Sequence, residues 1–184
     1  MIVVLGGGPA GRTAAIRLAQ AGKDVTLVEA GGIGGQCLHH GCMVVCALND
    51  VARSIAQSRN LYNLGILDEV PSVRFPQLLC EMASIQEKIR SVLDAETRTA
   101  GVEVQYGKEG RLQDGTVFIG DDPVDAEAAI LATGSRPRIP DIPGIDLLNV
   151  YTPHTLSKMD NLPDRLTVIA VSYTHLTLPT KRIV

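Results

Sequence analysis

The chain has 184 residues, 45% hydrophobic and 20% charged, with a formal net charge of −3. That is enough for one ordinary domain with a real core, and the charge gives no electrostatic case for binding nucleic acid or an anionic membrane. There is no Trp and there are only two Phe, which removes the aromatic platforms that single-stranded nucleic acid stacks on.

"IVVL" at the start reads as a short buried strand, followed by the turn "GGGPAG". "RTAAIRLAQAG" places Ala14, Ala15, Leu18 and Ala19 on one helical face and stops at Gly22. "DVTLVEA" reads as a second strand. A strand, a crossover helix and a strand within so short a stretch make a parallel pair. A glycine-rich loop then leads to a cysteine segment, and a helix is expected from about Cys42 to Ser58, with "NLYNLGILDEVPS" as loop. Leu78, Met82, Ile85, Ile89 and Val92 mark a helical stripe between about Phe75 and Ala100, ended by Gly101. "VEVQYG", "GRLQ" and "TVFIG" read as short strands joined by Gly and Asp turns, and "AAILATG" as a buried strand. "SRPRIPDIPG" is too rich in proline for an element interior, and "DRLTVIA" opens a further strand.

Gly6, Gly8 and Gly11 match G-x-G-x-x-G in the right setting: a strand before, a helix after and an acid, Glu29, at the end of the next strand. Gly6 suits the tight turn, Gly8 lets backbone approach a pyrophosphate, and Gly11 lets the helix pack on the strand. The phosphates would meet the free N–H groups and dipole of the helix N-terminus. A carboxylate at Glu29 accepts hydrogen bonds from ribose hydroxyls and repels a 2′-phosphate, favouring FAD or NAD over NADP here.

"GGQCLHHGCMVVC" sets Cys37, Cys42 and Cys46 beside His39 and His40. In an ideal helix the Cα atoms of Cys37 and Cys42 would lie roughly 8.7 Å apart, beyond the roughly 7 Å limit for a disulfide. A bridge therefore needs a break, which Gly41 and Gly34–Gly35 can supply. A thiolate at Cys42, if it opens the helix, would be stabilised by the dipole. Three readings stay open on these residues: a redox disulfide beside a dinucleotide, a metal site built from the cysteines with His39 or His40, or small packing thiols without chemistry. Cys46 and Cys80 read as the packing kind, Cys80 being flanked by Leu78 and Leu79.

The stretch from "VVLGGGPAG" to "GGQCLHHGC", together with "ILATGSRPRIPDIPG" and "LPDRLTVIA", resembles the FAD-dependent pyridine nucleotide–disulfide oxidoreductases, the family of dihydrolipoamide dehydrogenase, glutathione reductase and mercuric reductase. The resemblance implies a Rossmann-like α/β FAD-binding domain: a parallel sheet with crossover helices plus a small β-meander, here truncated. It implies that Cys42 is the thiol nearest the flavin and Cys37 the interchange thiol that meets substrate, as the catalytic pair. Gly6, Gly8, Pro9, Ala10, Gly11, Glu29, Ala30, Gly35, Gln36, Gly110, Ala132, Thr133 and Gly134 would hold FAD. No resident metal is implied. Electrons would pass between a nicotinamide, the flavin and a Cys37–Cys42 disulfide; the other class of function kept in view is a non-catalytic dinucleotide- or metal-binding module.

The family places a lysine four residues after its second cysteine, and this chain has Cys46 there. The apolar runs are strand-length and the N-terminus has no signal-like region, so a cytoplasmic protein is expected; the resemblance further implies a small disulfide or dithiol substrate, a homodimer, and NAD(P) bound in a separate domain. On this reading residues 1–147 are the N-terminal part of the FAD domain, and 148–170 are a linker and the first strand of an NAD(P) domain not present. "VSYTHLTLPT" resembles the conceptual translation of a sequencing-library adapter, so residues 171–184 are expected to be a non-native tail and the chain an inactive piece by itself. His154, in the linker, and His175, in the tail, are given no catalytic role.

Overall fold

The computed structural model describes residues 1–169; the expected tail, with His175, lies outside the described residues. Four parallel strands form the main sheet in the order β3-β2-β1-β7, where β1 is Ile2–Leu5, β2 Val25–Glu29, β3 Glu103–Tyr106 and β7 Ala128–Leu131. A separate antiparallel meander joins β4 (Gly110–Gln113), β5 (Thr116–Ile119) and β6 (Asp122–Val124). The helices are α1 (Pro9–Gln20), α2 (Gly35–His39), α3 (Cys42–Asn63) and α4 (Phe75–Thr99), with a short 3₁₀ turn at Leu156–Lys158. This is the Rossmann-like architecture expected from the sequence.

Both faces of β1 are covered, so its residues read as an unbroken apolar run. Val4 joins Ala15, Val25, Leu27, Ile33, Val102 and Val104 in one core. Val3 and Leu5 point the other way and pack with Val28, Val117 and Ile119 beneath the meander. Arg12 ties α1 to α4: its guanidinium donates to the Thr97 hydroxyl at 2.9 Å and pairs with Glu96.

Several expectations need correction. The helix from Cys42 does not stop at Ser58 but runs to Asn63, so the first residues of the expected loop are helical. The true stop is Gly65 at φ 70°, whose N–H donates to the Tyr62 carbonyl while Ile66 N–H donates to that of Leu61. That is the paired bonding of a Schellman motif, which needs a left-handed residue after the helix. On α4 the inward positions are Phe75, Met82 and Thr97, whereas Ile85 and Val92 of the expected stripe are exposed. Cys80 is exposed too, not core: two residues from Met82 it stands about 200° round the helix. Cys46 is likewise exposed. β7 is an edge strand and Leu131 is 59% exposed, contrary to the buried strand expected. The strand expected in "DRLTVIA", residues 164–170, is not formed over 164–169, the part of it that is described, and no described strand pairs with it.

Candidate functional site

The chain runs from β1 outward through β2 to β3 on one side, while β7 lies on the other side of β1. A crevice opens at the C-terminal end of such a reversal, which is where open α/β sheets take ligands. Here it is a cleft of ≈ 790 Å³.

Gly6 leaves β1 with φ 105°, and a Cβ there would lie 2.3 Å from the Ala132 carbonyl oxygen at the end of β7. Only glycine lets the two strand ends come this close. Gly35 is similar, with φ 55° and a Cβ position 2.7 Å from the Gly8 Cα. The turn after β1 and the start of α2 are therefore packed backbone to backbone, leaving a floor without side chains. Gly8 itself caps α1 with φ −68° and ψ 179°, ordinary extended backbone. Its Cβ position meets nothing nearer than the Gly35 Cα at 3.8 Å, so the space over it belongs to the cleft.

Glu29 ends β2 and is held from two sides. Its Oε2 accepts from Gly7 N–H at 2.5 Å and its Oε1 from Gly31 N–H at 2.8 Å. The carboxylate is thereby fixed at the mouth of the cleft with acceptor sites to spare.

The cysteine segment folds into two helices with a break at His40 and Gly41. The N–H groups of His40 and Gly41 both donate to the Gln36 carbonyl, at 2.9 and 2.6 Å, which closes α2 tightly. Cys42 then opens α3. The break required for a close approach of the two thiols is thus present, and Gly41 is part of it. The Cys42 thiol beside it, followed by burial, pushes the Cys37 thiol above its ordinary value; the charge of Cys46 adds to this. All four cysteines are free thiols. From α4, the Gln86 amide donates to the carbonyls of Leu38 and His39 at 2.7 and 3.3 Å, holding α2 in place.

Gly6, Gly8, Pro9, Ala10, Glu29, Gly35, Gln36, Cys37, Ala132, Thr133 and Gly134 line this one cleft. Of the remaining expected residues, Gly11 packs against the Gly6 carbonyl beneath the turn, and Gly110 packs its Cα on Leu5. Ala30 and Cys42 are not among the lining residues; Cys42 is exposed, with its thiol beside that of Cys37. The lining also includes Gly31, Gly32, Ser135 and Arg136, which sequence reasoning passed over, and three histidines: His39 and His40, weighed there only as metal ligands, and His154, given no catalytic role. His39 and His40 close α2, and the His39 ring approaches the Ile33 carbonyl at 3.2 Å. Among the described residues no group of three or more His, Cys, Asp or Glu side chains converges to hold a metal ion. Nor is any helix among them long and apolar enough to cross a membrane.

A family model described as pyridine nucleotide-disulphide oxidoreductase matches residues 1–174. Dihydrolipoyl dehydrogenase 2 of Haloarcula marismortui is 32% identical over 97% of this chain and 39% of its own length. The dihydrolipoyl dehydrogenase of Chlamydia trachomatis is 37% identical over 78% of this chain and 31% of its own. Among solved structures, LpdA of Mycobacterium tuberculosis superposes with a TM-score of 0.73 and 26% identity, covering 89% of this chain and 38% of that one. The chain spans about 39% of the length of the curated relatives it matches over nearly all of itself.

Proposed function

Because the chain belongs to the pyridine nucleotide-disulphide oxidoreductase family, we propose that it is the FAD-binding part of a flavin disulfide reductase, similar to dihydrolipoyl dehydrogenase, with Cys37 and Cys42 as its redox pair. The observation that carries this reading is the position of Cys37. It lines the same cleft as the glycine turn and Glu29, with Cys42 beside it on the next helix. A packing thiol would have no reason to stand there.

The residues present fit FAD. The backbone floor at Gly6, Gly8 and Gly35 carries no side chain, a Cβ on Gly8 would stand in it, and it lies at the N-terminus of α1, where anions are favoured. Gly8 and the first turn of α1 would hold the pyrophosphate. Glu29 would accept from ribose hydroxyls through the lone pairs left free by Gly7 and Gly31. Thr133, Gly134 and Gln36 would wall the flavin end. When bound, FAD supplies the hydride and electron chemistry that no side chain here can perform.

The chain's own part in the reaction is the thiol pair. Cys37 would attack a small disulfide, its sulfur bonding to one substrate sulfur while the other leaves as a thiolate. Cys42 would then attack Cys37 and release the second half of the substrate, leaving the Cys37–Cys42 disulfide. Cys46 cannot form a disulfide with Cys42 while α3 is intact. Residues four apart on a helix hold their Cβ atoms about 5–6 Å apart, and a disulfide needs roughly 3.5–4.5 Å. The whole protein would take electrons from NAD(P)H in a cytoplasmic homodimer.

The test is direct. The purified chain is titrated with FAD, then oxidised with a small-molecule disulfide and mapped by peptide mass. Quenching of flavin fluorescence at one equivalent and a Cys37–Cys42 bond are expected. A colourless protein carrying stoichiometric zinc on these cysteines would overturn the reading.

A further inference from the structure

His40 sits between the two cysteines, at the break that joins α2 to α3. Its ring stacks on that of His154, with centroids 4.9 Å apart and planes 27° from parallel. His154 belongs to the linker segment, just before the 3₁₀ turn Leu156–Lys158. The stack is thus the point at which a distant part of the chain bears on the turn that carries the thiols. Nδ1 of His40 is buried and has no hydrogen-bond partner among the described residues.

We propose that His154 is a positioning residue: stacked on neutral His40 it clasps the Cys37–Cys42 turn, and protonation of His40 opens the clasp. The inference rests on the redox reading of the two cysteines, since it concerns how their turn is held.

The groups that face His40 are His39 from α2, and His154 and Lys158 from the linker. Among the described residues no carboxylate stands with them. An imidazolium at His40 would bury an N–H on Nδ1 without an acceptor and meet positive charge on both sides. Burial first, then His154, His39 and Lys158, hold the His40 pKa below the ordinary 6.5. A histidine depressed in the folded state contributes stability that is fully present above the unfolded value. That contribution is lost as the pH falls below 6.5 and through the folded value. The clasp is therefore closed at neutral pH and opens on acidification.

Hydrogen exchange on the reduced 184-residue chain tests this, with protection factors taken for the amides of Gly41 to Cys46 and, as internal reference, for mid-helix α4. In the native chain the turn should lose protection several-fold between neutral and mildly acidic pH while α4 does not. His154→Ala should lower it at both pH values. His154→Phe should restore it at neutral pH and weaken the pH dependence without abolishing it, because an aromatic face attracts an imidazolium where a second imidazole repels it, while the burial of Nδ1 and the charge of Lys158 remain. Flat protection in the native chain, or His154→Ala behaving like it, would overturn the proposal. Neither readout needs FAD or a disulfide, so failure of the redox reading shows separately in the flavin titration and the mass map.

Discussion

Gly8 and Gly11 belong to one motif and have opposite tasks. A Cβ on Gly11 would lie 1.9 Å from the Gly6 carbonyl oxygen, a contact no side chain tolerates, with Ala132 close on the other side. A Cβ on Gly8 would meet only the Gly35 Cα at 3.8 Å, and its backbone is in a region any residue adopts. Gly11→Ala should therefore destabilise the fold by about 1–3 kcal/mol, the usual cost of overpacking. Gly8→Ala should leave urea unfolding unchanged and weaken FAD binding instead, since its methyl group would occupy the space where a pyrophosphate meets the turn. Equal stability losses in the two variants would contradict the assignment of the cleft floor. The spacing of the motif was readable in the sequence, and so was the role of each glycine. What it could not show is that Gly35, far along the chain, completes the floor by meeting Gly8.

At the scale of elements, legibility followed how local the cause was. The parallel pair β1 and β2, the crossover α1 and the stops at Gly22 and Gly101 all come from neighbouring residues, and the structure has them. α2 has only five residues, too few to show a helical period, so nothing in "GQCLH" marks it as a helix. β6 is a three-residue edge strand containing Pro123, tolerable there because an edge strand leaves one side unpaired. The outward turn of Cys80 was misjudged because two adjacent leucines imitate a buried face. Most telling is Gln86, which lies on the mid-part of α4 and carries no local mark of its work. Its amide serves two carbonyls at the end of α2, the element that presents Cys37. Gln86→Leu keeps the bulk and removes the donor, leaving the Leu38 carbonyl without this partner. It should cost about 1–3 kcal/mol in chemical denaturation, the range for an orphaned, partly buried polar group. Exchange should speed up in residues 35–41 before it does in α3. An unchanged α2 would mean that the break at Gly41, not α4, holds the thiol turn.

For the molecule as a whole, the cleft is made of pieces far apart in sequence: the turn after β1, Glu29 ending β2, the start of α2, and Ala132 to Arg136 after β7, with His154 at its rim. None of them forms a binding surface in the unfolded chain, so a ligand of this cleft must stabilise the folded state by mass action. At one hundred times its dissociation constant the gain is about 2.7 kcal/mol. For a chain of this size that corresponds to a rise in Tm of about 5–10 °C. FAD should produce it in thermal unfolding, with a concentration dependence that follows its affinity. On the proposed reading the α1 N-terminus and the Glu29 carboxylate, fixed by Gly7 and Gly31, would face the adenosine diphosphate half rather than the flavin. ADP should accordingly give a part of the shift, and FMN a smaller one, because it lacks the second phosphate and the adenosine ribose. An FMN shift exceeding that of ADP would place the main anchor at the flavin end, near Thr133 and Gln36, and would displace the glycine turn from the role assigned to it.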